Sequence, residues 1–244
     1  MKGYGQFCPV AMAARILAER WTLLIIRELL LGSHHYNDIR RGVPLMSPTL
    51  LSKRLKELQQ VGIVIFHPGR CRGAGEYRLT PAGEDLRRMV EIAGEWGRRW
   101  ASGQLGRDDL DAGFLMWDIR RFCRPEYFPL HARTVINFEF SDVAPRKRRW
   151  WLVAEEGEVD LCLSDPGFDV DVLVAADLRT LTEVWTWDLP LSRALQAGKI
   201  KVSGSSQLVN NMKRWFGECP LAHIKPESVR KSVGRVLPSQ FFSA

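Results

Sequence analysis

Residues 47–79 read SPTLLSKRLKELQQVGIVIFHPGRCRGAGEYRL. Ser47-Pro48 has the chemistry of a helix start: a hydroxyl to cap a free N–H, then a proline whose missing N–H costs nothing at the first position. At about 100° per residue, Leu50, Leu51, Leu55, Leu58 and Val61 gather on one arc. Gly62 closes the helix. Ile63 to His67 reads as a short apolar strand, HPGRCRGAGE as a turn-rich loop carrying Arg70 and Arg72, and Glu76 to Leu79 as a second strand.

Helix, strand, basic loop, strand is the layout of a winged helix, a module that lays one helix in the DNA major groove. The outer face of that helix is Thr49, Ser52, Lys53, Lys56 and Gln60, with no acid among them. Hydroxyls and ammonium groups suit phosphates and base edges, whereas a merely solvated helix face is usually mixed in sign. The expected DNA contacts are Tyr36, Ser47, Pro48, Thr49, Ser52, Lys53 and Lys56, with Arg70 and Arg72 on the wing. Arg54 falls inside the apolar arc, so it is expected to be structural, its stem packed and its guanidinium paired to Glu28 or Glu57.

The charge is distributed in the same sense. Of a net +7, residues 1–100 hold all the excess, with 16 Lys and Arg against nine Asp and Glu; the remainder balances at 19 each. Concentrated basicity favours a polyanionic partner for the first half. No apolar run approaches the roughly 18 residues of a membrane span, and the N-terminal apolar stretch is too short for a secretory signal, so a cytoplasmic protein is expected. Five scattered cysteines, none at metal-ligand spacing, predict neither a disulfide framework nor a zinc site. There is no phosphate-binding loop, dinucleotide fingerprint or nucleophile elbow; no catalytic residue, metal or cofactor is expected.

Upstream, Cys8-Pro9 opens a helix to residue 18, and WTLLIIRELLLG (21–32) reads as a core helix apolar on nearly all sides, capped by Gly32. Tyr36 to Arg41 makes a third helix. Downstream, Thr80-Pro81 begins a helix whose stripe of Leu86, Met89, Val90, Ala93, Trp96, Gly97 and Trp100 must pack on a partner subunit or on the rest of the chain. Gly103 to Asp111 reads as a linker. The reading divides the chain into 1–103, 111–217 and a basic tail, 218–244.

The second part reads as α+β with an antiparallel sheet backed by helices. Its elements are a helix with Phe114, Trp117 and Phe122; a strand over Ile136, Phe138 and Phe140; a hairpin in WWLVAEEGEVDLCL turned at Glu156-Gly157; an alternating run from Phe168 to Val174; a helix capped by Asp177; another begun by Pro190; a strand at Ile200 and Val202; and a final helix capped by Ser205 or Ser206. PRKRR (145–149) reads as a solvated basic turn. Bulky faces like these fill a core or line an apolar cavity, and periodicity does not separate the two.

The stretches CPVAMAARILAERWTLLIIRELLLGSHHYNDIRRGVPLMSPTLLSKRLKELQQVGIV, EYRLTPAGEDL and GEWGRRW, in that order, resemble the HxlR family of winged-helix transcriptional regulators, close to the MarR-type fold. The resemblance implies a homodimer joined by the first and last helices of the unit, a recognition helix at Ser47–Gln60 and wing arginines at Arg70 and Arg72. Residues from about 110 to 217 resemble a sterol carrier protein type domain, on WWLVAEEGEVDLCLSDP and VDVLVAADLRTLTEVWTWDLPLSRALQAGKIKVSGS. That implies helices and a sheet around an apolar tunnel, open or filled. The pocket residues expected for an apolar effector are Phe114, Trp117, Phe122, Phe138, Leu152, Leu181, Trp185 and Met212. Two alternatives remain: an apolar-ligand carrier using the winged helix only to dimerise, and a redox-sensing regulator acting through Cys8. Cys8 precedes a helix, a setting in which thiols become reactive, although an inert small residue at a helix entrance is the weightier reading.

Overall fold

The computed structural model describes residues 3–70, 75–101, 106–129 and 131–227. The first unit contains α1 (Pro9–Leu17), α2 (Thr22–Leu30), α3 (Tyr36–Gly42), α4 (Pro48–Gln60), β1 (Val64–His67), β2 (Glu76–Leu79), α5 (Pro81–Glu84) and α6 (Arg87–Trp96), the last running into a π-helical turn at Gly97–Ala101. Local chemistry sets these boundaries. The Ser47 hydroxyl accepts from Leu50 N at 3.3 Å, and Thr80 caps Gly83 N in the same way. Gly32 and Gly62 follow their helices at positive φ, where a Cβ would be strained. β1 and β2 pair antiparallel, Val64 opposite Leu79. Ile25, Ile26, Leu29, Ile39, Leu51, Leu55 and Leu58 form the core.

Two expectations for this unit change. α2, read as a core helix, is not buried on every side: Leu24 and Leu31 are exposed, while the acid Glu28 is fully buried. The helix after Thr80 is broken into α5 and α6, and its stripe divides. Leu86 and Val90 pack against the winged-helix core, whereas Met89 and Trp96 face outward.

The second unit contains α7 (Ala112–Phe122), β3 (Thr134–Phe140), β4 (Arg149–Glu155), β5 (Glu158–Cys162), β6 (Val172–Ala176), α8 (Leu178–Trp185), α9 (Leu191–Gln196), β7 (Ile200–Gly204), α10 (Ser206–Asn210) and α11 (Met212–Trp215). The sheet order is β5-β4-β3-β6-β7. The α+β class holds, but β3 pairs with β6 in parallel, so the sheet is mixed rather than antiparallel throughout. The β4–β5 turn uses Glu156 and Gly157 at φ 52° and 83°, the double positive φ of a tight hairpin turn. One face of the sheet, including Ile136, Phe138, Leu152, Leu161, Val174 and Ile200, packs with the helices into a single cluster. The final helix is two short ones, and the Ser205 side chain makes no cap bond.

The linker expected at Gly103–Asp111 includes a 3-10 turn, Arg107–Asp109; residues 102–105 lie outside the described residues. Nor is the stretch after 217 merely a tail as far as residue 227. Ala222 and Ile224 are buried, Leu221 lies against Gly94 of α6, and Glu227 N donates to Arg99 O at 2.6 Å.

Candidate nucleic-acid interface and the buried join behind it

α4 buries Leu51, Leu55 and Leu58 and so turns Thr49, Ser52, Lys53 and Lys56 to solvent, together with Ser47 and Pro48 at its start. Lys53 is 69% exposed and forms an ion pair with Glu57 one turn on, at 3.9 Å. Tyr36 is fixed rather than free: its hydroxyl donates to Pro48 O at 2.9 Å and receives Ser52 Oγ at 3.4 Å. Tyr36 thus ties α3 to the first turn of α4 and sets where that turn points. Arg54 is a structural residue as expected, bonded to Glu57 at 2.6 Å and to Glu19 at 3.1 Å; Glu28 is not its partner.

On the wing, Arg70 is exposed, and Arg72 lies outside the described residues. Arg78 and Glu76 form a two-bond pair along β2, at 2.9 and 2.7 Å, and the arginine holds the Glu76 carboxyl below its usual range. The wing is anchored inward as well, by Tyr77 N on His34 O at 2.8 Å and by the His35–Glu76 bridge. Burial, then Arg78, keeps the His34 imidazole pKa low, which favours the neutral ring.

Behind this surface is a feature the sequence reading missed. Glu28 of α2 has no exposed surface, and every one of its partners is a donor. Oε1 accepts from Arg27 at 3.1 and 2.8 Å. Oε2 accepts from Ser33 Oγ at 3.1 Å, Trp117 Nε1 at 3.3 Å and Arg121 at 2.5 Å. Trp117 and Arg121 belong to α7, so the second unit is bonded into the core of the helix-turn-helix. Arg121 continues to Asp118 at 3.5 Å, and Asp118 accepts from Trp185 Nε1 of α8 at 2.9 Å. Burial raises the Asp118 carboxyl pKa against the opposing effect of Trp185 and Arg121. A second join is Arg98, donating to both oxygens of Asp188 at 3.0 and 2.9 Å and to Thr186 O at 2.6 Å. The signal available in the sequence was a lone acid inside an apolar helix.

The expected effector pocket is for the most part solid. Trp117, Phe138, Leu152, Leu181, Trp185 and Met212 are buried members of the core cluster, with Phe122 packed against it. Phe122–Trp185, Trp185–Phe216 and Phe138–Phe216 ring pairs at 6.3, 5.5 and 6.4 Å fill the space between helices and sheet. Phe114 points the other way, its ring 5.1 Å from the Arg27 guanidinium. A cavity of about 310 Å³ lies instead beside the cluster, lined by Val184, Trp187, Leu189, Leu191, Lys213 and Phe216 among others. Trp187 sits there at φ 62°, a conformation that side-chain-bearing residues rarely hold.

Cys8 is exposed ahead of α1, and Cys123 is buried, its thiol pushed up to about 12 by desolvation. Among the described residues no group of three His, Cys, Asp or Glu side chains could hold a metal, and no helix is long and apolar enough to cross a membrane.

Residues 16–104 match the HxlR-like helix-turn-helix family. YvaP of Bacillus subtilis, an uncharacterized HTH-type transcriptional regulator, is 35% identical over 101 residues, 39% of this chain and 90% of that one. The chain belongs to the HxlR-like family. YtfH of Escherichia coli, of the same description, is 30% identical over 95 residues, 38% of this chain and 75% of its own length. An HTH-type transcriptional regulator of Mycobacterium tuberculosis is 38% identical over 89 residues; the HxlR-type stretch here spans only about half of that relative, 56%. Among solved structures, the reduced form of the transcriptional regulator YodB from B. subtilis is 30% identical, covering 38% of this chain and 92% of that one at a TM-score of 0.33. Residues 130–217 match the SCP-2 sterol transfer family, so an HxlR-type unit is here followed by a sterol-carrier-type one.

Proposed function

We propose that the protein is a DNA-binding transcriptional regulator that engages a two-fold site as a homodimer, α4 in the major groove and the wing on the backbone. The observation that carries this is the exposed face of Thr49, Ser52, Lys53 and Lys56 on a helix held in place by Tyr36. Two lysines per protomer make four phosphate contacts per dimer, and each phosphate neutralised contributes about 0.9 to the salt slope of log K. Lys53→Ala with Lys56→Ala is therefore expected to flatten that slope by about 3 to 4 on DNA upstream of the protein's own gene, measured by fluorescence anisotropy across salt concentrations. An unchanged slope and affinity would remove α4 from the interface. Arg70 is the wing contact in this reading, and Arg72 joins it by position in the sequence.

An effector reading is favoured by the 310 Å³ cavity, at the lower end of ligand-pocket sizes. Phe216 lines it and stacks edge-on with Trp185 at 5.5 Å. From Trp185 the bonded chain runs through Asp118 and Arg121 to Glu28. An apolar molecule in this cavity would therefore bear on the helix-turn-helix through continuous contacts. Native mass spectrometry of the purified protein is expected to show a bound apolar molecule whose removal alters DNA affinity. If a molecule is present and its removal leaves affinity unchanged, the carrier reading is the better one; if none is found, the cavity has no resident ligand.

A further inference from the structure

The basic turn at 145–149 has a structural partner on the far side of the sheet. β4, β3, β6 and β7 present one row of side chains on the face away from the helices. Arg149 stands opposite Glu139, Glu139 beside Ala175, and Ala175 opposite Lys201. Three strand spacings of 4.7–4.9 Å put the two ends of this row roughly 14 Å apart. Two depressions flank it. One, of about 380 Å³, is lined by Pro145, Arg146, Arg148, Arg149, Trp151 and Leu163. The other, of about 590 Å³, includes Arg148, Lys199 and Lys201 in its lining. Arg148 borders both, so the two adjoin; Glu139 and Asp177 also line the second.

The pairing of charges on this surface is one-sided. The nearby acids are engaged: Glu139 with Arg149 at 3.6 Å, Asp111 with Lys147 at 2.9 Å, Asp177 with Thr180 N and Oγ1 at 2.8 and 2.6 Å, and Asp142 with Leu178 N at 2.8 Å. Arg146, Arg148, Lys199 and Lys201 are exposed and have no carboxylate partner among the described residues. These four cations thus stand without an ion-pair partner among the described residues, in a half of the chain whose formal charges, these four included, balance at 19 each.

The surface also lies on a sheet joined to the helix-turn-helix. The Arg41 guanidinium, at the end of α3, stacks 5.2 Å from the Trp117 ring, and Arg120 beside it on α7 donates to Val159 O of β5 at 2.7 Å. β5 is the edge next to β4, so Arg146 and Arg148, just ahead of β4, lie near that edge, whereas Lys199 and Lys201 lie at β7, the opposite edge of the sheet. In a helix-turn-helix the first helix crosses the phosphate backbone while the second enters the groove.

We infer that Arg146, Arg148, Lys199 and Lys201 form a second phosphodiester-binding surface, which contacts the duplex flanking the segment read by α4. This rests on the DNA-binding reading of α4. The occupant is duplex backbone because the cations are spread over two adjoining depressions rather than focused on a point, and because backbone contact is read by charge alone.

The test uses the full chain and two probes. One is the shortest duplex from upstream of the gene that the protein retards. The other is the same duplex lengthened by ten base pairs at each end, one helical turn or about 34–36 Å. The readout is the salt slope, because extra registers on a longer duplex raise apparent affinity but not slope. The parent is expected to show a slope steeper by about 0.9 per added phosphate contact, hence about 4 if half of the eight cations in a dimer engage. The variant Arg146→Glu, Arg148→Glu, Lys199→Glu, Lys201→Glu is expected to lose that increment and keep the parent's slope on the short duplex. Its unfolding midpoint in urea, unchanged, excludes misfolding; if the four-fold variant unfolds early, the pairs Arg146→Glu, Arg148→Glu and Lys199→Glu, Lys201→Glu are read separately, each losing about half the increment. Equal parent slopes on both duplexes overturn the second surface and leave α4 binding intact. An increment that survives in the variants also overturns it. A parent that binds neither duplex overturns both readings.

Discussion

Glu28→Ala is expected to lower the unfolding free energy by roughly 3–5 kcal/mol, the range for removing one member of a buried ion pair. The size follows from what stays behind. Arg121 is only 10% exposed and would keep Asp118, at 3.5 Å, as its remaining ion-pair partner. Arg27 would keep its bond to Gly42 O at 2.9 Å and little else of that network. Ser33 Oγ and Trp117 Nε1 would be left without their acceptor in a dry site, at about 1–3 kcal/mol for each buried group that finds no substitute. Arg121→Met should cost less, roughly 2–3 kcal/mol, because Glu28 then keeps Arg27, Ser33 and Trp117 as donors. Glu91→Ala, an exposed acid on α6, should stay within about 0.5 kcal/mol of the parent. Denaturant unfolding followed by tryptophan fluorescence gives all three. A Glu28→Ala loss below about 1 kcal/mol would mean the buried carboxylate does not hold the units together as its geometry requires. The site also explains Gly42: a Cβ there would lie 1.9 Å from the Glu28 carboxyl carbon, so the last residue of α3 has no room for a side chain.

What was legible in the sequence was what short-range chemistry determines. Ser47, Thr80 and Asp177 each cap a helix with the expected side-chain bond. Glu156-Gly157 turns the hairpin, and the outward face of α4 follows from five apolar positions at helical spacing. Interactions distant along the chain were not legible. Glu28 finds Arg121 93 residues later, and no local pattern distinguishes an acid awaiting such a partner from one facing water. The parallel β3–β6 pairing arises because β6 returns past a whole hairpin to the open edge of β3, and alternation in a strand carries no direction. Trp185, Phe138 and Met212 were equally compatible with a tunnel wall and with a core; only their mutual packing with Phe216 decides for the core. The stretch 219–227 has no strong period, yet Leu221, Ala222 and Ile224 settle against α6 and its surroundings through individual contacts.

The same division explains the outer face of α6. Val90, Gly94 and Arg98 occupy its inner side, against the winged-helix core, Leu221 and Asp188 respectively. Met89, Ile92 and Trp96 are left 44, 55 and 62% exposed, and neither α1 nor α6 contains a buried residue. On α1 and just before it, Phe7, Val10 and Met12 are 98, 75 and 60% exposed. Six large apolar side chains, on α6, on α1 and just before it, are thus left in solvent, as at interaction sites, and a self-complementary face of this kind closes as a two-fold dimer. Ile92→Asp with Trp96→Asp is therefore expected to yield a monomer by light scattering, with helix content and unfolding midpoint close to those of the parent at concentrations too low to dimerise. DNA affinity should fall by about 10²–10⁴, because the second half-site is then no longer held at the high effective concentration that a linked protomer provides. Lys53→Ala with Lys56→Ala should instead weaken binding while leaving the dimer intact, so the two variants separate contact from avidity. A double aspartate variant that still sediments as a dimer would move the interface away from α1 and α6. One that is monomeric yet binds as tightly as the parent would mean each protomer reads its DNA alone.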